Sequence, residues 1–118
     1  MQTKKLIELG NQVVNYHLER TGATYFCNSI GFFLYRVDGS YLYCDEFYIK
    51  PEYRRSKHAS ELFNLMLTIG KSKGCSEFVS WVDLRSKNPS VVHRALLKEG
   101  AVMVDSGDPE RPEYRKTI

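Results

Sequence analysis

No run of apolar residues in this 118-residue chain approaches the roughly 20 that a membrane-spanning helix needs, so the sequence predicts no transmembrane segment. Cysteine is scarce and unpatterned. Cys27, Cys44 and Cys75 are widely spaced and form no C-x-x-C pair, and His17, His58 and His93 show no ligand spacing. A disulfide framework and a structural zinc are therefore not expected, no metal site is expected, and the thiols read as small apolar residues. Neither sign of charge dominates: 17 Lys and Arg against 14 Asp and Glu give +3, too weak to imply a nucleic-acid partner. Low-complexity tracts, linkers and internal repeats are missing. The stretch MQTKKLIELGNQVVNYH has neither the apolar h-region nor the small-residue cleavage site of a signal peptide. The expectation is a cytoplasmic protein with one domain over residues 1–118. What is present is ordinary globular usage, 42% apolar and 26% charged, which argues against disorder and fibrous structure. A chain of this length buries roughly two thirds of its unfolded surface, enough for one core.

Hydrophobic spacing sets the order of elements. Leu6, Ile7, Val13, Val14, His17 and Leu18 share one side at helical spacing over residues 4–20, and Thr21-Gly22 ends that helix. Short segments rich in β-branched and aromatic residues follow, at 24–28 and 30–36, and the turn Val37-Asp38-Gly39-Ser40 leads into a third at 41–49. Pro51 stops that strand because proline cannot donate to a ladder. Ala59, Leu62, Phe63, Met66 and Ile69 then mark an amphipathic helix closing near Gly70 or Gly74. Residues 77–84 read as a buried strand. Asn88 and Pro89 open a helix as N-cap and first helical residue, and Gly100 closes it. Residues 101–105 and 113–118 make a final hairpin. The order is α-β-β-β-α-β-α-β-β, a mixed-sheet α/β fold in which 41–49 and 77–84 form a parallel β-α-β crossover.

The stretch from Phe47 to Phe63 carries the most chemical information. A strand ends at a proline, a basic link holding Arg54, Arg55 and Lys57 follows, and a helix begins. A helix start exposes unpaired N–H groups and the positive end of its dipole, so with adjacent basic side chains it suits a phosphate or diphosphate. The dipole alone contributes about 0.3–1 kcal/mol when exposed, so the side chains would have to add charge-assisted hydrogen bonds. The plainer reading is a set of solvated charges between two elements.

This segment resembles the central motif of the GCN5-related N-acetyltransferases. There a strand ends in a hydrophobic-x-Pro pattern, and Arg/Gln-x-x-Gly-x-Gly/Ala opens a helix. Ile49-Lys50-Pro51-Glu52-Tyr53-Arg54 is similar to the strand end, and Arg54-Arg55-Ser56-Lys57-His58-Ala59 to the loop. Asn88 and the Gly100-Ala101 boundary resemble a later motif, so the likeness covers about residues 30–118. Compact, divergent members of this kind resemble small phage-encoded acetyltransferase-like proteins. The resemblance implies acetyl-CoA as co-substrate and a primary amine, of a protein or a small molecule, as acceptor. Two parallel strands splay apart in such proteins and pantetheine pairs with their free backbone groups, much as an added strand would. By analogy Phe47, Tyr48 and Ile49 hold pantetheine, and the Arg54, Arg55, Ser56, Lys57, His58, Ala59 and Ser60 segment holds the diphosphate. Asn88 contacts the cofactor arm or simply caps its helix.

Three departures accompany the likeness. The usual loop glycine, which tolerates positive φ and lets backbone approach phosphate, is Lys57. The tyrosine that often protonates the departing thiolate is replaced by Leu96. The first strand and one early helix of the family have no counterpart, which reduces the substrate-recognition lobe. Strict alternation puts Tyr43, Asp45, Phe47 and Ile49 on one face and Cys44, Glu46 and Tyr48 on the other. Asp45 and Glu46 are the candidate bases. The alternatives are a catalytically silent binding protein of the same fold and, more weakly, a nucleic-acid-binding module using the basic link.

Overall fold

The computed structural model describes the backbone of residues 2–118 and the side chains of residues 8–16 and 18–118. The chain runs α1 (Gln2–Thr21), β1 (Thr24–Cys27), β2 (Gly31–Asp38), β3 (Tyr41–Ile49), a 3-10 turn (Pro51–Tyr53), α2 (Lys57–Ser72), β4 (Glu77–Trp81), α3 (Pro89–Lys98), β5 (Val102–Val104) and β6 (Glu113–Thr117). This is the expected mixed α/β order, with the 3-10 turn added. Six strands form one sheet in the order β1-β2-β3-β4-β6-β5. Among the described residues only β3 and β4 pair parallel, as expected for strands joined through a helix.

One face of the sheet is the core. On β2, Gly31, Phe33 and Tyr35 are buried while the alternate residues Phe32, Leu34 and Arg36 are half-exposed. Helix α2 lays Leu62, Phe63, Met66, Leu67 and Gly70 on that face. The Phe63 ring meets Phe47 of β3 and Phe78 of β4 edge-on, with centroids 6.2 and 5.2 Å apart. Gly70 lets the helix approach β3, since a Cβ there would lie 2.6 Å from Leu42 Cδ2. Leu96 of α3 and Tyr114 of β6 complete the same core.

Helix α1 behaves differently from its pattern. Val14 is half-buried but Val13 and Leu18 are exposed, and the helix contacts β1. Leu6, Ile7 and His17, assigned to the same side, have side chains outside the described residues. Among the described residues, no helix is long and apolar enough to cross a membrane.

Candidate active site

Strands β3 and β4 part company. Their parallel ladder consists of Tyr41 with Glu77, Leu42 with Phe78 and Tyr43 with Val79, and it stops there although β3 continues to Ile49 and β4 to Trp81. Ser80, buried at the junction, donates through its hydroxyl to the Cys44 carbonyl at 3.4 Å. Beyond that point the strands are forked.

Register fixes which backbone groups face the gap. Lys50 N–H donates to the Ile30 carbonyl, so the hydrogen-bonded pairs of β2 and β3 fall at Phe32 with Tyr48 and at Leu34 with Glu46. Phe47 and Ile49 therefore turn their backbone groups away from β2 and into the fork. On the other wall, Val82 N–H donates to the Pro112 carbonyl, which assigns Ser80 and Val82 to β6 and turns Trp81 toward β3. Of the three residues expected to hold pantetheine, Phe47 and Ile49 present backbone groups here, whereas those of Tyr48 belong to its pair with Phe32. The Ile49 carbonyl also accepts from Arg54 Nε at 2.9 Å.

A bulge corrects the expected alternation. Leu34 pairs with Glu46 but Tyr35 with Cys44, so Asp45 is an extra residue on β3. Leu42 and Cys44 point into the core before it, and Phe47 and Ile49 after it, so Asp45 does not share the face of Phe47 and Ile49. Asp45 instead meets Arg36 in a two-pronged pair, with Nε and Nη2 donating at 2.8 and 2.9 Å. That pair is the chief cause of the raised Arg36 pKa. Glu46, beside it, is exposed, and among the described residues its carboxylate has no hydrogen-bond or ion-pair partner.

The link to α2 forms a ring of unpaired donors. Ser56 is the N-cap, its hydroxyl accepting from His58 N–H at 3.3 Å. Among the described residues the N–H groups of Arg55 and Ser56 have no backbone partner, and those of Lys57 and Ala59 lie in the helix's first, unbonded turn. The residue with positive φ is Arg55, at 58°, while Lys57 is an ordinary first-turn residue. The lysine at the usual glycine position therefore carries no backbone strain. Arg55 and Lys57 are exposed; Arg54 folds back onto the strand end, its guanidinium 5.5 Å over the Tyr48 ring. His58 reaches Glu61 at 3.2 Å, and the Ser60 hydroxyl donates to Glu99 at the end of α3. Their side chains serve the helix, leaving backbone as the donor on offer.

On α3, Asn88 adopts the left-handed conformation (φ 61°, ψ 47°) and its side chain makes no capping hydrogen bond. Pro89 sits at the first helical position as the sequence predicts. Leu96 is buried in the core and offers no proton. One turn earlier, His93 Nδ1 shares a hydrogen bond with the Tyr114 hydroxyl, whose ionisation is pushed up by burial.

Cys44 lies at the junction of the fork, where a thiolate would be a nucleophile. Burial, followed by the charges of Asp45 and Glu46, pushes its thiol up to about 12. It is held protonated, and a covalent acetyl-cysteine route is closed. In the unfolded chain this thiol ionises near pH 9, so stability is full below that pH and is lost as pH rises from about 9 toward about 12. The matching labelling experiment is expected to give one fast thiol in native protein, exposed Cys27, with buried Cys44 and Cys75 reacting only on unfolding. Mass spectrometry after a short iodoacetamide pulse reads this out.

Sequence patterning missed a row of side chains on the sheet face opposite α2. The Arg36 guanidinium lies 4.8 Å from the Tyr43 ring centroid; Tyr43 stacks on Trp81 at 5.8 Å and 2°; Arg111 lies 5.0 Å over Trp81. The row crosses the sheet where the ladder ends. Beside it opens a cavity of about 550 Å³ lined by Arg20, Leu34, Arg36, Asp45, Glu46 and Arg111, among others.

The sequence model of the acetyltransferase (GNAT) family matches residues 13–95, more than half of the chain. Among curated proteins none matches. Of solved structures, the PaiA N-acetyltransferase of Thermoplasma acidophilum, determined with coenzyme A, is 25% identical with TM-score 0.68, over 81% of this chain and 61% of that one. The chain thus spans under two thirds of that enzyme's length. An acetyltransferase-like protein of Agrobacterium tumefaciens is 16% identical with TM-score 0.63, over 99% of this chain and 92% of that one. The anti-CRISPR protein AcrVA5 is 11% identical with TM-score 0.63, over 77% of this chain and 96% of that one. Both of these share the fold.

Proposed function

The chain belongs to the acetyltransferase (GNAT) family, and from that premise we propose that it transfers the acetyl group of acetyl-CoA to a primary amine by direct attack. The observation that carries this reading is the parting of β3 from β4 after Tyr43 and Val79, next to a helix start with free donors. The pantetheine arm lies in the fork against the backbone of Phe47 and Trp81 and pairs as a short strand would. Its diphosphate meets the N–H groups of Arg55, Ser56, Lys57 and Ala59 and the charges of Arg55 and Lys57. In this reading the Asn88 amide, exposed and free of a capping bond, meets the arm from the start of α3.

The fork brings the thioester to the β3 bulge, where Glu46 removes a proton from the acceptor ammonium. The amine nitrogen adds to the thioester carbonyl and a C–N bond forms; the adduct nitrogen gives its second proton to solvent, the C–S bond breaks and the sulfur leaves with its electron pair. Coenzyme A then takes a proton from solvent, because Leu96 supplies none. Fixing both reactants removes most of the entropic barrier, and proton removal contributes about 10²–10⁴-fold more. Asp45 is the weaker candidate for base, since its lone pairs are committed to Arg36.

Burial of Leu96 at the acid position favours a second reading, a binding protein that holds the cofactor without turnover. Calorimetric and thermal-shift titration with acetyl-CoA, followed by thiol release in the presence of amines, separates the two. At a hundred times Kd, binding stabilises by about 2.7 kcal/mol. Binding with amine-dependent thiol release supports transfer; binding without release from any amine supports the silent reading; no stabilisation at millimolar acetyl-CoA contradicts both. In the same titration Lys57→Glu is expected to weaken acetyl-CoA by about tenfold or more, through repulsion of the diphosphate, and Lys57→Gly to weaken it much less. Equal affinity for Lys57→Glu and the parent would remove the loop from the site.

A further inference from the structure

The cavity beside the bulge holds charges that the transfer chemistry alone does not require. Arg36 and Asp45 neutralise each other. Three charged groups remain. Glu46 has no partner among the described residues. Arg20 donates to the Tyr16 hydroxyl at 2.6 Å and makes no ion pair within 4 Å among the described residues. Arg111 rests on Trp81 and makes no such ion pair either; its charge acts on Asp83, itself hydrogen-bonded to Arg85. The cavity thus presents one unpaired carboxylate and two unpaired guanidinium groups around a volume of about 550 Å³, within the range of small-ligand sites.

These charges match a zwitterion. An ammonium at Glu46 lies where the proton must be removed. A carboxylate can take the forked donors of Arg111 or Arg20, with the planar, two-pronged geometry that guanidinium groups offer. Stacking on Trp81 restricts the Arg111 side chain beforehand, so less freedom is lost when an anion binds. A polyamine is disfavoured, because its second ammonium would face the arginines.

We propose that the acceptor is a small amine that also carries a carboxylate, of the amino-acid class, bound with its ammonium at Glu46 and its carboxylate at Arg111 and Arg20. The proposal rests on the acetyl-transfer reading for its chemistry: the ammonium loses one proton to Glu46 before attack and a second to solvent as the adduct collapses, its nitrogen gains the acetyl group, and coenzyme A leaves as a thiolate that takes a proton from solvent.

The test compares the twenty amino acids with their carboxamides and with putrescine, by initial rates of thiol release and by calorimetry with and without acetyl-CoA. The best amino acid is expected to exceed its carboxamide by about tenfold or more in kcat/KM or in affinity, the scale of one charged hydrogen-bonded contact. Arg111→Gln, a change at an exposed side chain, is expected to collapse that preference toward one. Failure of acetyl-CoA to bind would overturn the transfer reading, while amino-acid binding that Arg111→Gln weakens would still support this pocket. Carboxamides or putrescine performing as well as the amino acids, or an acid preference untouched by Arg111→Gln, would overturn the proposal.

Discussion

Replacing Glu46 with glutamine is expected to lower kcat for acetyl transfer by about 10²-fold or more while acetyl-CoA affinity stays unchanged. Glutamine keeps the shape of the side chain and cannot accept the ammonium proton. Nothing folded depends on the carboxylate, which has no partner among the described residues, so the loss is one of chemistry. Asp45→Asn should differ in kind: it breaks the two-pronged contact with Arg36, loosens the bulge and costs stability. Steady-state kinetics and thermal melts of both variants separate these roles. A parental rate for Glu46→Gln would remove it as the base.

Gly31→Ala is expected to cost on the order of 3 kcal/mol, the upper end of what overpacking does, and to lower the thermal midpoint by roughly 10 °C. A Cβ at Gly31 would lie 1.9 Å from the Tyr48 carbonyl oxygen and 2.9 Å from its carbon. The obstacle is backbone at the end of the β2–β3 ladder, so no rotamer change relieves it. Strands β2 and β3 must separate at the segment that turns Phe47 and Ile49 into the fork, and acetyl-CoA binding should weaken with stability. Gly70→Ala meets only the flexible end of Leu42, at 2.6 Å, and should cost less. Parallel thermal melts of the two variants test the ordering, and equal midpoints would refute it.

Much of this arrangement was legible in the sequence because local rules decide it. The Asp38-Gly39 turn sets the hairpin, Pro51 stops β3, Pro89 opens α3, and the spacing of Leu62, Phe63 and Met66 names the buried side of α2. The family motif added the pairing of strand end with helix start. Alternation failed at Asp45, since a bulge inserts one residue without a sequence signature and flips every side chain beyond it. The family's glycine position is Lys57, but the positive φ occurs at Arg55, because the serine cap starts the helix only after Arg55 and Ser56 have turned the chain. Asn88 takes the cap position without a capping bond, a detail of ψ that composition does not carry. The Arg36–Tyr43–Trp81–Arg111 row joins four separate segments. Half of it was within reach: counting back from the Asp38-Gly39 turn pairs Arg36 with Tyr43. Trp81 and Arg111 join only through the parallel pairing of β3 with β4 and through the turn that precedes β6.

Residue-resolved amide hydrogen exchange would probe the forked strands most directly. In the free protein Phe47, Ile49 and Trp81 should exchange fast while Glu46 and Tyr48, paired to β2, exchange slowly, and saturating acetyl-CoA should slow Phe47 and Trp81. Amides of Phe47, Ile49 and Trp81 already as protected as those neighbours before any acetyl-CoA is added would mean that β3 and β4 are joined along their length, and the account would be wrong.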